Sequence, residues 1–135
     1  MVPLGYLDCL AQLTVVGEIS KEDFFQRFQY FNDRSDSYHL YVITDESGDK
    51  IVAAGTLLIE KKFIRNLGTC GHIEDIVVDC SQRGKNLGKI LIQALKELAI
   101  QLGCYKVILD CEEGKVQFYE KCGFKEKGRQ MAFYK

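Results

Sequence analysis

The chain has 135 residues, enough for one domain with its own core. Hydrophobic residues make up 47% and charged residues 27%, which excludes a disordered tract, and 18 basic against 19 acidic residues give a net charge of -1, without the basic surplus of a general nucleic-acid binder. No apolar run approaches the ~20 residues that span a bilayer, and the start, with Asp8 inside its apolar stretch and no basic segment ahead of it, does not read as a secretory signal.

In chain order, residues near 4 to 14 predict a short helix, with Leu4, Leu7, Leu10 and Ala11 on one side. Ser20 reads as an N-cap with Asp23 three residues on, and Phe24, Phe28 and Phe31 give the helix that follows one aromatic face. Tyr38–Thr44, a turn at Asp45–Asp49 and Ile51–Ile59 predict an antiparallel hairpin, and Thr69–Val78 a third strand beyond the basic connection Lys61–Asn66. From 83 to 102 the residues Leu87, Ile90, Leu91, Ala94, Leu95, Leu98 and Leu102 recur at helical spacing, and Gly103 stops the helix. Lys106–Cys111 then predicts a short buried strand, Gly114–Lys121 a helix ended by Gly123, and Met131–Tyr134 a last strand. This order predicts one α/β domain over residues 1–135, its sheet mixing an antiparallel meander with a parallel crossover. Six cysteines, at 9, 70, 80, 104, 111 and 122, form no CxxC pair. They read as reduced, mostly buried thiols, and with only two histidines no metal site is expected.

The strand-to-helix junction Val77-Val78-Asp79-Cys80-Ser81-Gln82-Arg83-Gly84-Lys85-Asn86-Leu87-Gly88-Lys89 holds the first functional signal. Gly84 and Gly88 permit close backbone approach, a helix start offers free N–H groups and a positive dipole end, and Arg83, Lys85 and Lys89 add charge. Such a junction suits a pyrophosphate, but Gly-containing strand-to-helix turns are common, and on these residues alone a tight turn with solvated lysines is the commoner reading. Its spacing is neither the dinucleotide GxGxxG nor the P-loop pattern.

The segment resembles the acetyl-CoA loop of the GNAT N-acetyltransferases, Arg/Gln-x-x-Gly-x-Gly/Ala. Arg83 and Gly88 match its ends, and Asn86 stands where the first glycine is usual. GHIEDIVVD at 71–79, GCYKVILDCEE at 103–113, VQFYEKCGF at 116–124, KFIRNLG at 62–68 and LTVVG at 13–17 further resemble the eukaryotic glucosamine-6-phosphate N-acetyltransferases. The resemblance implies a GNAT fold, a mixed sheet flanked by helices, here without the first strand usual in the family. It also implies a cytosolic homodimer that transfers acetyl directly from acetyl-CoA to the amine of glucosamine 6-phosphate, on the way to UDP-N-acetylglucosamine, with no membrane or nucleic-acid partner.

For individual residues the resemblance implies that Tyr119, Asp110 and Glu74 are catalytic. Tyr119 stands beside the thioester sulfur and Asp110 orients or helps deprotonate the amine. The cofactor is held by Asp75, Ile76, Val77 and Val78, by Arg83, Gly84, Lys85, Asn86, Leu87, Gly88 and Lys89, and by Tyr119 and Lys121. The sugar phosphate is held by Thr14, Lys62, Phe63, Ile64, Arg65, Glu74, Asp75 and Asp110. As consecutive strand residues, Glu74 and Asp75 should point to opposite faces. Two features depart from the family pattern: Tyr134 occupies the place of a phosphate-binding arginine, and the first strand is missing. A GNAT enzyme for a different amine and a non-catalytic CoA-binding domain are the alternatives. The basic KKFIR stretch favours an anionic acceptor over a polyamine, and Tyr119, Glu74, Asp75 and Asp110 occurring together favour catalysis.

Overall fold

A computed structural model describes residues 5–135. Helix α1 (Tyr6–Leu10) is shorter than the predicted 4–14, and Leu4 lies outside the described residues. Helix α2 (Lys21–Asn32) starts as predicted, with the Ser20 hydroxyl accepting the backbone N–H of Asp23 at 3.0 Å. Strands β1 (Tyr38–Thr44) and β2 (Ile51–Lys61) form the antiparallel hairpin, β2 running two residues past its predicted end. A single turn, α3 (Ile64–Leu67), leads into β3 (Thr69–Val78), which pairs antiparallel with β2. Helix α4 (Leu87–Gln101) crosses over to β4 (Lys106–Ile108), parallel to β3, giving the sheet order β1-β2-β3-β4. Helix α5 (Val116–Lys121) follows a 3-10 turn at Glu113–Lys115.

The core forms because β2 is apolar on both faces. On one side Ala53, Leu57 and Ile59, with Ile73 of β3, bury against Leu91, Ile92, Leu95 and Ala99 of α4. On the other side Ile51, Ala54 and Val77 cover Cys9 of α1. Gly55 lets α4 come close, since a Cβ there would lie 3.1 Å from Leu95 and 3.2 Å from Leu91.

Several predicted elements shorten. Helix α4 begins four residues late because Gly84 and Asn86 take left-handed φ of 90° and 60°, which no helix accommodates. Strand β4 ends at Ile108, so Asp110 lies beyond it, and β4 is partly exposed instead of buried because it is an edge strand. Residues 131–134 form no strand: Met131, Phe133 and Tyr134 stand almost fully exposed, because a strand needs a ladder partner and none of the described strands pairs with them. Among the cysteines, Cys9, Cys70 and Cys122 are buried and Cys104 half-buried, but Cys80, in the 3-10 turn after β3, and Cys111, in the irregular segment after β4, are exposed; all six are free. No helix among the described residues is long and apolar enough to cross a membrane.

Candidate active site

The parallel ladder between β3 and β4 joins only Cys70–His72 to Lys106–Ile108. Beyond it β3 continues to Val78 while the chain after β4 turns away, and the sheet splays into a wedge. On the wedge side of β3 the backbone groups from Ile73 onward have no strand neighbour. A bulge sharpens the opening. Ala54 pairs with Val77 and Thr56 with Glu74, so Asp75 and Ile76 together face Gly55, and Asp75 takes a left-handed φ of 54°.

The resulting cleft encloses about 770 Å³. Ile73 to Val78 form one wall and Leu109 to Glu112 the facing one, with Phe118 and Tyr119 of α5 between them. At its far end lie Arg83, Gly84, Asn86, Leu87, Gly88 and Lys89. Asn86 caps α4 without a side-chain hydrogen bond, so the first-turn N–H groups are left for a ligand. A Cβ at position 88 would meet Phe118 at 3.3 Å and Val78 at 3.7 Å, so a larger residue there needs a small shift of Phe118. An extended chain with hydrogen-bonding amides fits the free strand edge, and a pyrophosphate fits the helix start, so these residues suit acetyl-CoA.

Glu74, Asp75 and Asp110 gather at the same opening, and all three are exposed. Partial burial, then the charges of Asp75 and Asp110, raise the Glu74 pKa above the ordinary carboxylate value. The bulge breaks the strand alternation expected at Glu74 and Asp75, and both acids also border a second, apolar cleft of about 340 Å³ between the sheet and helices α1 and α2. Tyr119 packs edge-on against Phe118 (ring centroids 5.0 Å apart) and Phe124 (6.1 Å). Burial raises its phenol pKa, so Tyr119 keeps its proton at neutral pH.

Other expected residues lie elsewhere. Lys85 and Lys121 do not line the cleft, and the Lys85 ammonium instead donates to Gln82 at 2.8 Å. Thr14 is exposed outside it, although Gln12 and Leu13 border it. Lys62, Phe63, Ile64 and Arg65 sit on the loop after β2, away from the cleft, because β2 carries the chain past the wedge before it turns. There Lys62 lies 3.1 Å from the Glu60 carboxylate, which His72 Nε2 also meets at 2.8 Å. The Glu60 carboxylate, the Cys70 thiol and the His72 ring offer donor atoms that lie within 4.8 Å of one another. Arg65, Asn66 and Leu67 take left-handed φ of 56°, 56° and 60°, costly for residues with side chains. Sequence reading missed Gln12, Gln82, Cys111, Lys115, Phe118 and Gln130 as cleft residues. Gln82 falls in the strand-to-helix junction, Cys111 in the GCYKVILDCEE stretch and Phe118 in the FYEK stretch, so these carried a local signal; Gln12, Lys115 and Gln130 arrive through tertiary contact.

Comparison with known proteins agrees with this geometry. A Dictyostelium discoideum protein named glucosamine 6-phosphate N-acetyltransferase 1 is 55% identical over 96% of this chain and 82% of its own length. An Arabidopsis thaliana protein named glucosamine 6-phosphate N-acetyltransferase is 47% identical over 96% of this chain and 87% of its own. The crystal structure of glucosamine-6-phosphate N-acetyltransferase from Arabidopsis thaliana superposes with a TM-score of 0.94 at 47% identity, covering 96% of this chain and 88% of that one. Residues 8–124 match the Acetyltransferase (GNAT) family, and with the splayed sheet and the free helix start this chain belongs to that family.

Proposed function

We propose that the chain transfers the acetyl group of acetyl-CoA to the amine of glucosamine 6-phosphate, giving N-acetylglucosamine 6-phosphate and CoA. One observation carries the choice of acceptor: near full-length likeness to relatives from Dictyostelium, Arabidopsis and Candida albicans that are all named for this activity. The reading extends to a cytosolic enzyme on the route to UDP-N-acetylglucosamine.

Direct transfer in a ternary complex needs a free amine, a bound thioester and a proton for the departing thiolate. Glu74 accepts the ammonium proton, and its raised pKa suits it to that task. Asp75 and Asp110 hold the amine beside it. Glu74 passes the ammonium proton to solvent, the amine nitrogen bonds to the thioester carbonyl carbon, and the C–S bond breaks as Tyr119 donates its proton to the sulfur. The second nitrogen proton leaves through Glu74 as the amide forms, and solvent reprotonates Tyr119. Residues 75–78 and 83–89 hold the pantetheine arm and pyrophosphate. Lys62 and Arg65 serve the sugar phosphate. They lie outside their own chain's cleft, so this role calls for a homodimer in which the loop reaches the partner's cleft. The exposed Phe63, Ile64 and Leu67 and the strained backbone around them favour an interface there.

The test is CoA thiol release across a panel of amines including glucosamine 6-phosphate and glucosamine. The phosphorylated sugar should give by far the highest kcat/KM. Equal efficiency with glucosamine would remove the sugar-phosphate assignment, and no turnover of any amine would leave only a CoA-binding domain.

A further inference from the structure

Behind the helix-start loop lies a polar knot that the proposed chemistry does not use. Asp79 follows the last residue of β3 and is only 5% exposed. Its N–H donates to the Val52 carbonyl at 2.7 Å, fixing it to β2. Its Oδ1 accepts the Ser81 backbone N–H at 2.9 Å and the Ser81 hydroxyl at 2.6 Å, shaping the 3-10 turn at Cys80–Gln82. Its Oδ2 accepts Gln12 Nε2 at 2.9 Å, with the Lys50 ammonium 3.5 Å away. Gln12 turns its other end to the same turn, Oε1 accepting the Cys80 backbone N–H at 2.8 Å. One glutamine thus ties the segment after α1 to the loop before α4 at two points. The two segments also both line the cleft, Gln12 and Leu13 from one and Gln82 to Gly84 with Asn86 to Lys89 from the other.

We infer that Gln12 and Asp79 are positioning residues that clasp these two segments together and so set the shape of the acetyl-CoA site. The inference rests on the donor-site reading above. The loop from 83 to 86 carries two left-handed residues and no regular hydrogen-bonded structure, so its conformation depends on how its ends are anchored. Loosening one anchor makes the ligand order the loop on binding, which weakens affinity and leaves the chemical step alone.

The experiment compares Gln12→Ala, Gln12→Glu, Asp79→Asn and the pair Gln12→Glu/Asp79→Asn with wild type. The readouts are CoA calorimetry, thermal melting, and kinetics with acetyl-CoA varied at saturating glucosamine 6-phosphate. Gln12→Ala should raise both the KM for acetyl-CoA and the Kd for CoA about tenfold, the scale of a lost hydrogen bond to a charged group, with kcat little changed. Gln12→Glu should do more, since it sets a carboxylate against Asp79. The double variant reverses donor and acceptor across the pair, keeps an acceptor for Cys80, and should recover most of the lost affinity. Folded single variants with lower melting points but unchanged KM and Kd would reduce the clasp to a structural contact and overturn the inference, as would a double variant no better than Gln12→Glu. A wild type that binds no CoA would overturn the donor-site reading first.

Discussion

Tyr119 and Glu74 are shifted in the same direction with opposite chemical use. Burial raises the Tyr119 phenol pKa and keeps it protonated, which suits its proposed role as proton donor to sulfur. Partial burial and two neighbouring carboxylates raise the Glu74 pKa, making it a better base for an ammonium. A raised carboxylate pKa means the proton is lost only at higher pH, so the acid limb of kcat/KM should lie above the ordinary glutamate value of about 4.3. Tyr119→Phe should lower kcat by about 10²–10⁴-fold while leaving that limb where it is, because the two groups act at different atoms. The hydroxyl makes no hydrogen bond among the described residues, so the melting temperature should barely move. Full pH–rate profiles of wild type and Tyr119→Phe decide the matter. A variant with unchanged kcat while chemistry is rate-limiting would make Tyr119 a packing residue.

Among the elements, α4 does two jobs: its flank builds the core through Leu91, Ile92, Leu95 and Ala99, and its first turn faces the cleft. Gly88→Asp separates them. The new Cβ asks Phe118 to give a few tenths of an ångström, and the carboxylate sits where the phosphates are proposed to bind. CoA affinity measured by calorimetry should fall by more than tenfold, the scale of opposing a charge at close range, with Gly88→Ala far milder. Equal affinity in folded Gly88→Asp would move the pyrophosphate elsewhere. Helix α4 was legible in the sequence because of its apolar period, but the buried face is turned from the expected stripe: Ile92 and Ala99 are buried, while Ile90 and Leu102 are exposed. The strand-to-helix junction proposed to hold the pyrophosphate was legible as a junction because its parts are consecutive. The bulge at Asp75 was not, since an extra residue leaves no mark on a strand-like run and shows only when β2 is laid beside it. Nor was the early end of β4, which comes from the splay between strands. Met131 to Tyr134 has strand composition and nothing among the described strands to pair with, and Lys62 to Arg65 were readable as cationic but not as remote from their own cleft.

At the scale of the whole molecule, the remoteness of that loop becomes a test of assembly. If each proposed site combines Tyr119 of one chain with Arg65 of another, two defective variants can repair each other. Arg65→Ala and Tyr119→Phe, mixed and reassembled in equal amounts, should recover up to about a quarter of wild-type sites at low sugar phosphate, since half the dimers are mixed and each holds one intact site. Light scattering should report a dimer. Activity that never exceeds the average of the two parents, or a fully active monomer, would return the phosphate contact to the chain's own cleft. The wedge between β3 and β4 has a consequence of another kind. A donor that lies along an unpaired strand edge supplies the hydrogen bonds of a missing strand, and only the folded chain offers that edge. Occupancy therefore adds to folding free energy as RT ln(1 + [L]/Kd), about 2.7 kcal/mol at a hundredfold excess over Kd. Resistance of the chain to added protease should therefore rise with CoA concentration, and protection that does not change with CoA would place the donor away from that edge.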